Sequence, residues 1–400
     1  MKILGLVVEY NPFHYGHLYQ LERAKELVKP SATIAVMSGN FTQRGEPALV
    51  DKWARAEMAV TAGIDLVLEL PVMWATQSAP GFATGALHLL TLAGATDICF
   101  GSELGQIDTL EAVSDILLEE PFLYRQTLHK ALKLGHSFAT AQGLALQAAC
   151  PQTDPALCKQ PNNTLAIEYL IAIKKFGLPI KAHTIRRIGS YHSLLPTETM
   201  LSATAIRQQV LSGHTAQGMP KAAASILQQR IDAGQGPVNW QQLAPYLFYH
   251  LRSQTQIAEH QWPEAGEGLG ERLWLAARQT NDWEKLLRSV KTRRFPLTRL
   301  QRLCTYVLLG LTPTQIEKVD ITQPPPYLRV LALNTASLTI RKLLKTSQLP
   351  VIYSAADVAP TDTRLVECLQ QDIKATDIYT LAWQRGSQSG LDFTHRLVTR

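Results

Sequence analysis

Two imidazoles and a glycine, His14, Gly16 and His17, follow directly on an apolar run that ends in Asn11-Pro12. Residues three apart on a helix share a face, so a helix starting near His14 turns both rings one way. Gly16 leaves out a side chain between them, which lets a ligand approach the backbone. Two ring donors beside the free N–H groups of a helix start form a seat for a phosphate. By itself the pair fits equally a histidine couple satisfied by backbone carbonyls, or half of a metal site. The whole string, apolar strand, Asn-Pro break and then H-x-G-H, favours the phosphate.

Further polar clusters recur at the ends of apolar runs. Ser38 to Pro47 follows Thr33–Met37, Gly101-Ser102-Glu103 follows Ile98–Phe100, and the doublet Arg186-Arg187 follows the run that begins at Ile180. Ser202 and Thr204 open a helix that carries Arg207; from spacing alone they are a capping pair, although hydroxyls at a helix start also hold phosphate. Asn162 or Asn163 is placed to cap the helix that runs to Lys175. Lys291-Thr292-Arg293-Arg294-Phe295-Pro296-Leu297-Thr298-Arg299-Leu300-Gln301-Arg302 carries five cations and no acid, with one aromatic among them. Such a run is a solvated helix face or a grip on a phosphate backbone, and the aromatic favours the grip.

The elements that must position these residues read as alternating strands and helices. Strands are expected over Ile3–Val8, Thr33–Met37, Ile64–Leu70, Ile98–Phe100 and Ile180–Ile188. Helices are expected from Leu18 to Leu27, Lys52 to Thr61 with Asp51 as N-cap, and Gly81 to Ala93. Alternation of this kind builds right-handed βαβ units and a parallel, Rossmann-like α/β sheet, which binds ligands at the C-terminal ends of its strands. The clusters at His14/His17, Ser38 to Arg44 and Gly101 to Glu103 should therefore meet in one crevice. Residues 107–160 read as a helical insert, Gly189-Ser190-Tyr191-His192 as a loop, and 212–218 as a linker. The expected division is a catalytic domain over 1–211 and a mostly helical, basic domain over 219–400, with a short late strand at Leu349–Tyr353.

The bulk properties fit this division. Four hundred residues exceed one ordinary domain, and 46% hydrophobic with 18% charged residues describes a globular chain. The five cysteines are scattered without a CxxC pair, which argues against a disulfide framework or a zinc site, and no residue is assigned as a metal ligand. The first residues lack a signal-peptide cleavage pattern and no apolar stretch is long enough for a bilayer, so a cytoplasmic protein without a membrane is expected. A net charge of +6 permits a polyanionic partner. No obligatory protein partner is evident.

The strings EYNPFHYGH (Glu9–His17), MSGNFTQRGEPALVDKWAR (Met37–Arg55), ELP (Glu69–Pro71), FGSE (Phe100–Glu103), PNN (Pro161–Asn163), SATAIR (Ser202–Arg207) and KTRRFPLTRLQR (Lys291–Arg302) resemble the bacterial tRNA(Met) cytidine acetate ligases. That family sits within the HxGH nucleotidyltransferase superfamily, and the likeness covers most of the chain. It implies a HUP-type fold, ATP as substrate with Mg²⁺, activation of acetate as acetyl-adenylate, and transfer of the acetyl group to the wobble cytidine of elongator tRNA(Met), giving N(4)-acetylcytidine. His14 and His17 would donate to phosphate oxygens. The implied ATP contacts are Val7, Val8, Glu9, Tyr10, Asn11, Pro12, Phe13, His14, Tyr15, Gly16, His17, Leu18, Tyr19, Gln20, Gly101, Asn162 and Arg187, with Arg186 as rival for the last. Ser202, Thr204 and Arg207 match the superfamily's S/T-x-x-R element over the phosphates. The tRNA contacts would be Lys291, Arg293, Arg294, Arg299 and Arg302.

Glu9 departs from simple adenylyltransferases, which resemble one another in a small hydroxyl residue there. A carboxylate at that spot would repel a phosphorylated acceptor, so Glu9 joins His14 and His17 as a candidate catalytic residue. Facing away, or binding Mg²⁺ through water, are its other readings. Two rival functions remain at this level: a small-molecule enzyme of the same superfamily, either an adenylyltransferase or a carboxylate–amine ligase like pantothenate synthetase, and a non-catalytic RNA-binding protein with a relict nucleotide site. Both histidines and SATAIR are intact, which speaks against the relict.

Overall fold

A computed structural model describes residues 1–151, 153–187, 201–258, 260–318, 320, 323–359 and 362–400. In chain order the first half contains β1 (Ile3–Val8), α1 (Tyr15–Val28), β2 (Ala32–Ser38), α2 (Lys52–Thr61), β3 (Leu66–Leu70), α3 (Val72–Ala75), α4 (Ala79–Leu92), β4 (Asp97–Ser102), α5 (Ile107–Glu119), α6 (Phe122–Lys133), α7 (Phe138–Ala149), α8 (Pro161–Phe176), β5 (Lys181–Arg186) and α9 (Ala203–Leu211). Then come α10 (Lys221–Asp232), α11 (Trp240–Ser253), α12 (Leu269–Gln279), α13 (Trp283–Val290), α14 (Leu297–Leu309), α15 (Pro313–Lys318), β6 (Leu328–Leu333), α16 (Leu338–Lys345), β7 (Val351–Ile352), α17 (Thr363–Tyr379), α18 (Leu391–Thr394) and β8 (Val398–Thr399).

The strands form one sheet in the order β5-β4-β1-β2-β3-β6-β7, with β8 also on β6. The five strands of the first half run parallel, in registers such as Leu4 beside Thr33, Val36 beside Leu68 and Cys99 beside His183. Successive residues feed opposite faces, as the pleat requires. Ile3, Ile34 and Leu68 join a core beneath α4 and α8, and Leu4, Ala35 and Val67 join a second core beneath α1 and α2. Burial on both faces explains the largely apolar composition of β1, β2 and β3, whereas β5, at the sheet's edge, is only partly buried and carries Lys181, His183 and Arg186.

The expected boundary between residues 211 and 219 does not divide the sheet. β6 pairs antiparallel with β3, and β7 and β8 pair with β6. Residues beyond 219 are mostly helical, but their strands complete the sheet that carries β1. Their helices α11, α14 and α17 supply Leu247, Leu303 and Leu369 to the α4/α8 core. The run Leu328–Leu333 follows directly on the prolines 324–326, which read as a loop, and Arg329 interrupts its apolar pattern.

Beneath this junction lies a buried charge network. Lys52 Nζ bonds Glu69 at 2.8 Å and Asp392 at 2.7 Å, and Arg329 donates to Asp392 Oδ1 at 3.3 Å. Asp372 accepts from the Val72 backbone N–H at 2.7 Å and from the Tyr327 hydroxyl. Burial, with Glu69 adding its charge, pushes the Asp372 carboxyl up to about 7. Among the described residues no helix is long and apolar enough to cross a membrane.

Candidate active site

β1 ends at Val8, Glu9 follows it, and the next four residues build the support for the histidines. Tyr10 takes a left-handed φ of 47° and the Asn11–Pro12 peptide is cis. Asn11 Oδ1 accepts from the Leu49 N–H at 2.8 Å, which ties the turn to the segment after β2. Phe13 is fully buried, and the Tyr10 ring meets Phe13 at 4.7 Å and His17 at 4.9 Å, both edge-on. Val8, Tyr10 and Phe13 thus form the apolar backing of the site, Leu18 packs partly against the same core, and Val7 is half-buried against the other.

His14 is the N-cap residue of α1 and His17 lies in its first turn. The two rings stack with centroids 3.7 Å apart. The His14 backbone N–H donates to His17 Nδ1 at 3.3 Å, which leaves Nε2 of His17 as the ring's N–H donor. His14 is held down to about 4, by burial first and then by the Arg187 and Arg207 guanidiniums. His17 is held well below the usual imidazole range by burial, His14 and Arg187. Both rings are therefore neutral at pH 7 and act as dipolar donors rather than cations. His14 Nδ1 is buried without a hydrogen-bond partner among the described residues.

Gly16 serves a neighbour as well as the opening. A Cβ there would lie 2.8 Å from His14 Cε1, so the glycine makes room for the imidazole of its own turn. The crevice above α1's N-terminus is lined by His14, Gly16, His17, Tyr19, Gln20, Gly101, Ile185, Arg186 and Arg187. Both arginines of the doublet line it. The Arg187 side chain lies over Gly101, where a Cβ would come within 3.1 Å of Arg187 Cγ. Ile188 and the loop Gly189–His192 lie outside the described residues.

Arg207, on α9, braces the turn before the histidines and does not itself line the crevice. It donates to the Asn11 carbonyl at 2.9 Å and to Thr204 Oγ1 at 3.3 Å, and pairs with Glu46 at 3.5 Å. Ser202 caps α9, accepting from the Ala205 N–H at 3.2 Å. Ser202 and Thr204 do not line the crevice. The linker comes close as well, because the Tyr15 N–H donates to the Gly218 carbonyl at 3.0 Å. Asn162 is engaged elsewhere: its Nδ2 donates to Glu103 at 2.6 Å, and Glu103 also accepts the backbone N–H groups of Asn162 and Asn163. The start of α8 is thus capped from outside by Glu103. Neither asparagine is the N-cap, which is Gln160.

Glu9 points at the segment after β2. Its carboxylate accepts from the Gln43 N–H at 2.7 Å, and burial pushes it up from the usual carboxylate range, against the pull of that N–H and of Arg44. Sequence reasoning missed the residue that fixes its backbone. Arg55, fully buried, donates to the carbonyls of Glu9 at 2.7 Å, Ser38 at 3.1 Å and Gly39, and so staples the ends of β1 and β2 together. An arginine within the otherwise apolar face Trp53-Ala54-Ala56-Met58-Ala59 was its signal.

The basic segment differs most from its sequence reading. Arg302 is 9% exposed and makes a two-bonded pair with Glu264 at 2.8 and 3.0 Å. Arg299 and Arg294 pair with Glu267 at 3.0 and 3.4 Å. Two acids distant in sequence therefore pair with three of the five cations, and Lys291 and Arg293 remain exposed.

With the geometry in hand, comparison with known proteins is specific. A family model described as HIGH Nucleotidyl Transferase matches residues 1–392. A tRNA(Met) cytidine acetate ligase of Thermoanaerobacter sp. (strain X514) is 42% identical over the whole of both chains. One of Thermotoga maritima is 37% identical over 94% of each chain. The crystal structure of Thermotoga maritima TmcAL bound with alpha-thio ATP superposes with a TM-score of 0.89 at 36% identity, covering 100% of this chain and 99% of that one.

Proposed function

The chain belongs to the HIGH nucleotidyl transferases and, within them, to the tRNA(Met) cytidine acetate ligases; from that premise we propose that it activates acetate with ATP and acetylates the wobble cytidine of elongator tRNA(Met). The observation that carries the reading is the crevice itself. Two neutral, stacked imidazoles stand at the N-terminus of a helix, in a crevice also lined by two arginines at the end of the last parallel strand. That arrangement suits a polyphosphate whose α-phosphorus is attacked by an oxygen.

Bound ATP would lie with its phosphates over α1's first turn, against His17 Nε2–H, His14, Arg186 and Arg187. Mg²⁺ would arrive with the nucleotide and offset charge on the leaving pyrophosphate. An acetate oxygen attacks the α-phosphorus, the bond to the β-phosphate oxygen breaks, and pyrophosphate leaves. The cytidine amine then attacks the acetyl carbon, AMP departs, and the amine gives up its proton. Activation comes first because the amine's lone pair is delocalised into the ring. The base must be swung out of its loop to reach the crevice. Proximity and fixed donors supply the rate, since in-line transfer needs positioning more than a base.

Of the proposed ATP contacts, His14, Gly16, His17, Tyr19, Gln20, Gly101 and Arg187 are those that line the crevice. Glu9 is proposed as an acid that excludes phosphorylated acceptors; its bond to Gln43 gives it a second, structural duty. For the tRNA, Lys291 and Arg293 are free to meet phosphates, whereas Arg302 would have to leave Glu264. A cytoplasmic location, and action without an obligatory protein partner, belong to the same proposal.

Protein incubated with ATP, Mg²⁺ and labelled acetate should form labelled acetyl-adenylate and release pyrophosphate. Adding tRNA(Met) should then increase the mass of one anticodon-loop fragment by one acetyl group. Release of ADP alone, or acetylation of a small amine in preference to tRNA, would defeat the reading.

A further inference from the structure

The helical insert between β4 and α8 carries a surface that none of the chemistry above uses. From Pro121 to Thr153 the chain has no aspartate or glutamate. On α6, Tyr124 and Ala131 are buried, and Leu128 packs partly against the core. The opposite face presents Phe122, Arg125, Gln126, His129, Lys130 and Lys133, at the spacing of a single helical stripe. Arg125, Lys130 and Lys133 have no ion pair among the described residues. Large apolar side chains stand in solvent on and beside this stripe: Phe122 is 72% exposed, Leu134 70% and Phe138 60%.

The contrast with the Lys291–Arg302 segment matters. There the cations are largely held by Glu264 and Glu267, whereas on the α6–α7 hairpin the positive charge is unspent. Unpaired cations interleaved with exposed aromatics fit a phosphate backbone with unstacked bases, and they fit an acidic protein face less well. Position adds a second argument. The insert leaves the sheet just after Gly101, which lines the crevice, and returns at Asn162, where Glu103 ties its two roots together at 2.6 Å. The hairpin is therefore carried by an insert whose two roots stand beside the crevice.

We propose that the α6–α7 hairpin is an RNA-binding surface that grips the tRNA substrate beside the crevice, with Arg125, Lys130 and Lys133 on phosphates and Phe122 and Phe138 against bases. This rests on the functional reading above and adds to it a place where the tRNA is held.

The test measures tRNA(Met) binding without ATP or acetate, for the wild type and for R125E/K130E/K133E, together with acetyl-adenylate formation without tRNA. The variant should lose ~10-fold or more in tRNA affinity, and its salt dependence should flatten by ~2–3 units of slope. Adenylate formation should be unchanged. In the wild type, bound tRNA should slow acylation of Lys130 and Lys133 by an amine-reactive reagent. Wild-type affinity in the variant, or lysines that react equally fast in the saturated complex, overturns the proposal. So does a wild-type dimer in sedimentation whose lysines are shielded before any tRNA is added, because a second copy then covers the hairpin. If the variant misfolds and loses adenylate formation too, the lysine reactivity of the wild type decides alone. A wild type that binds no tRNA at all defeats the functional reading itself.

Discussion

At the residue scale, the pair His14 and His17 shows why burial matters more than residue type. Their rings sit in a backing of Tyr10 and Phe13 that keeps them uncharged, so they would meet the charge of ATP as neutral donors. Replacing either by glutamine, which keeps one donor, should lower adenylate formation by roughly 100-fold while the fold survives, because fixed donors to developing charge are worth about that much. A pH signature should accompany it. The His14 pKa is lower folded, about 4, than in an ordinary imidazole, so the unfolded chain binds the proton first. The stability linked to this group is complete above pH 6.5 and is lost as pH falls toward 4, at about 1.4 kcal/mol per unit. Subtracting the pH profile of His14→Gln from the wild-type profile, both measured by urea unfolding, isolates it. A pH-independent difference would show that the imidazole is not buried neutral.

At the scale of elements, the loop between β2 and α2 is the part whose shape came least from its own residues. Gly45 has a φ of 73°, and a Cβ there would fall 2.4 Å from the Arg302 backbone nitrogen. Its carbonyl accepts from Trp240 Nε1 at 2.9 Å and Thr305 Oγ1 at 3.0 Å. Gly45→Ala combines left-handed strain with overpacking and should cost about 2–4 kcal/mol in a denaturant titration. Lys52→Ala strands Glu69 as an unpaired buried charge, leaves Asp392 to Arg329 alone, and should cost about 3–5 kcal/mol, whereas Lys52→Met in combination with apolar partners should cost far less. Local signals were legible where local chemistry decides: the parallel strands, Asp51 capping α2 and Ser202 capping α9 all follow from near neighbours. Contacts between distant residues left no period to read. Glu103 displaced the asparagines as the cap of α8, and Glu264 and Glu267 took up arginines that looked free. The doublet left Arg186 and Arg187 ambiguous by one position, and both line the crevice.

At the scale of the molecule, the strand β6 changes what counts as a unit. With it, the crevice and the helices beyond residue 219 share a sheet, a core and a buried ion network. Residues 1–211 expressed alone would expose the edge of β3 and leave Lys52 without Asp392, so they should aggregate or remain unfolded. A soluble fragment with cooperative melting and ATP binding would contradict this. The full chain should bind tRNA with a steep loss of affinity on adding salt.

The Lys52 network has a consequence for how the protein is made. Its ammonium belongs to residue 52 and one of its two carboxylates to residue 392, so a growing chain carries that charge through most of its synthesis before the partner exists. Strand β3 likewise waits for β6. Pairings this far apart in sequence close late and slowly. Until they close, the phosphate-binding turn rests on an open-edged sheet. A nascent chain of this enzyme is thus expected to acquire its nucleotide site near the close of translation, and to need protection from its neighbours on a polysome until then.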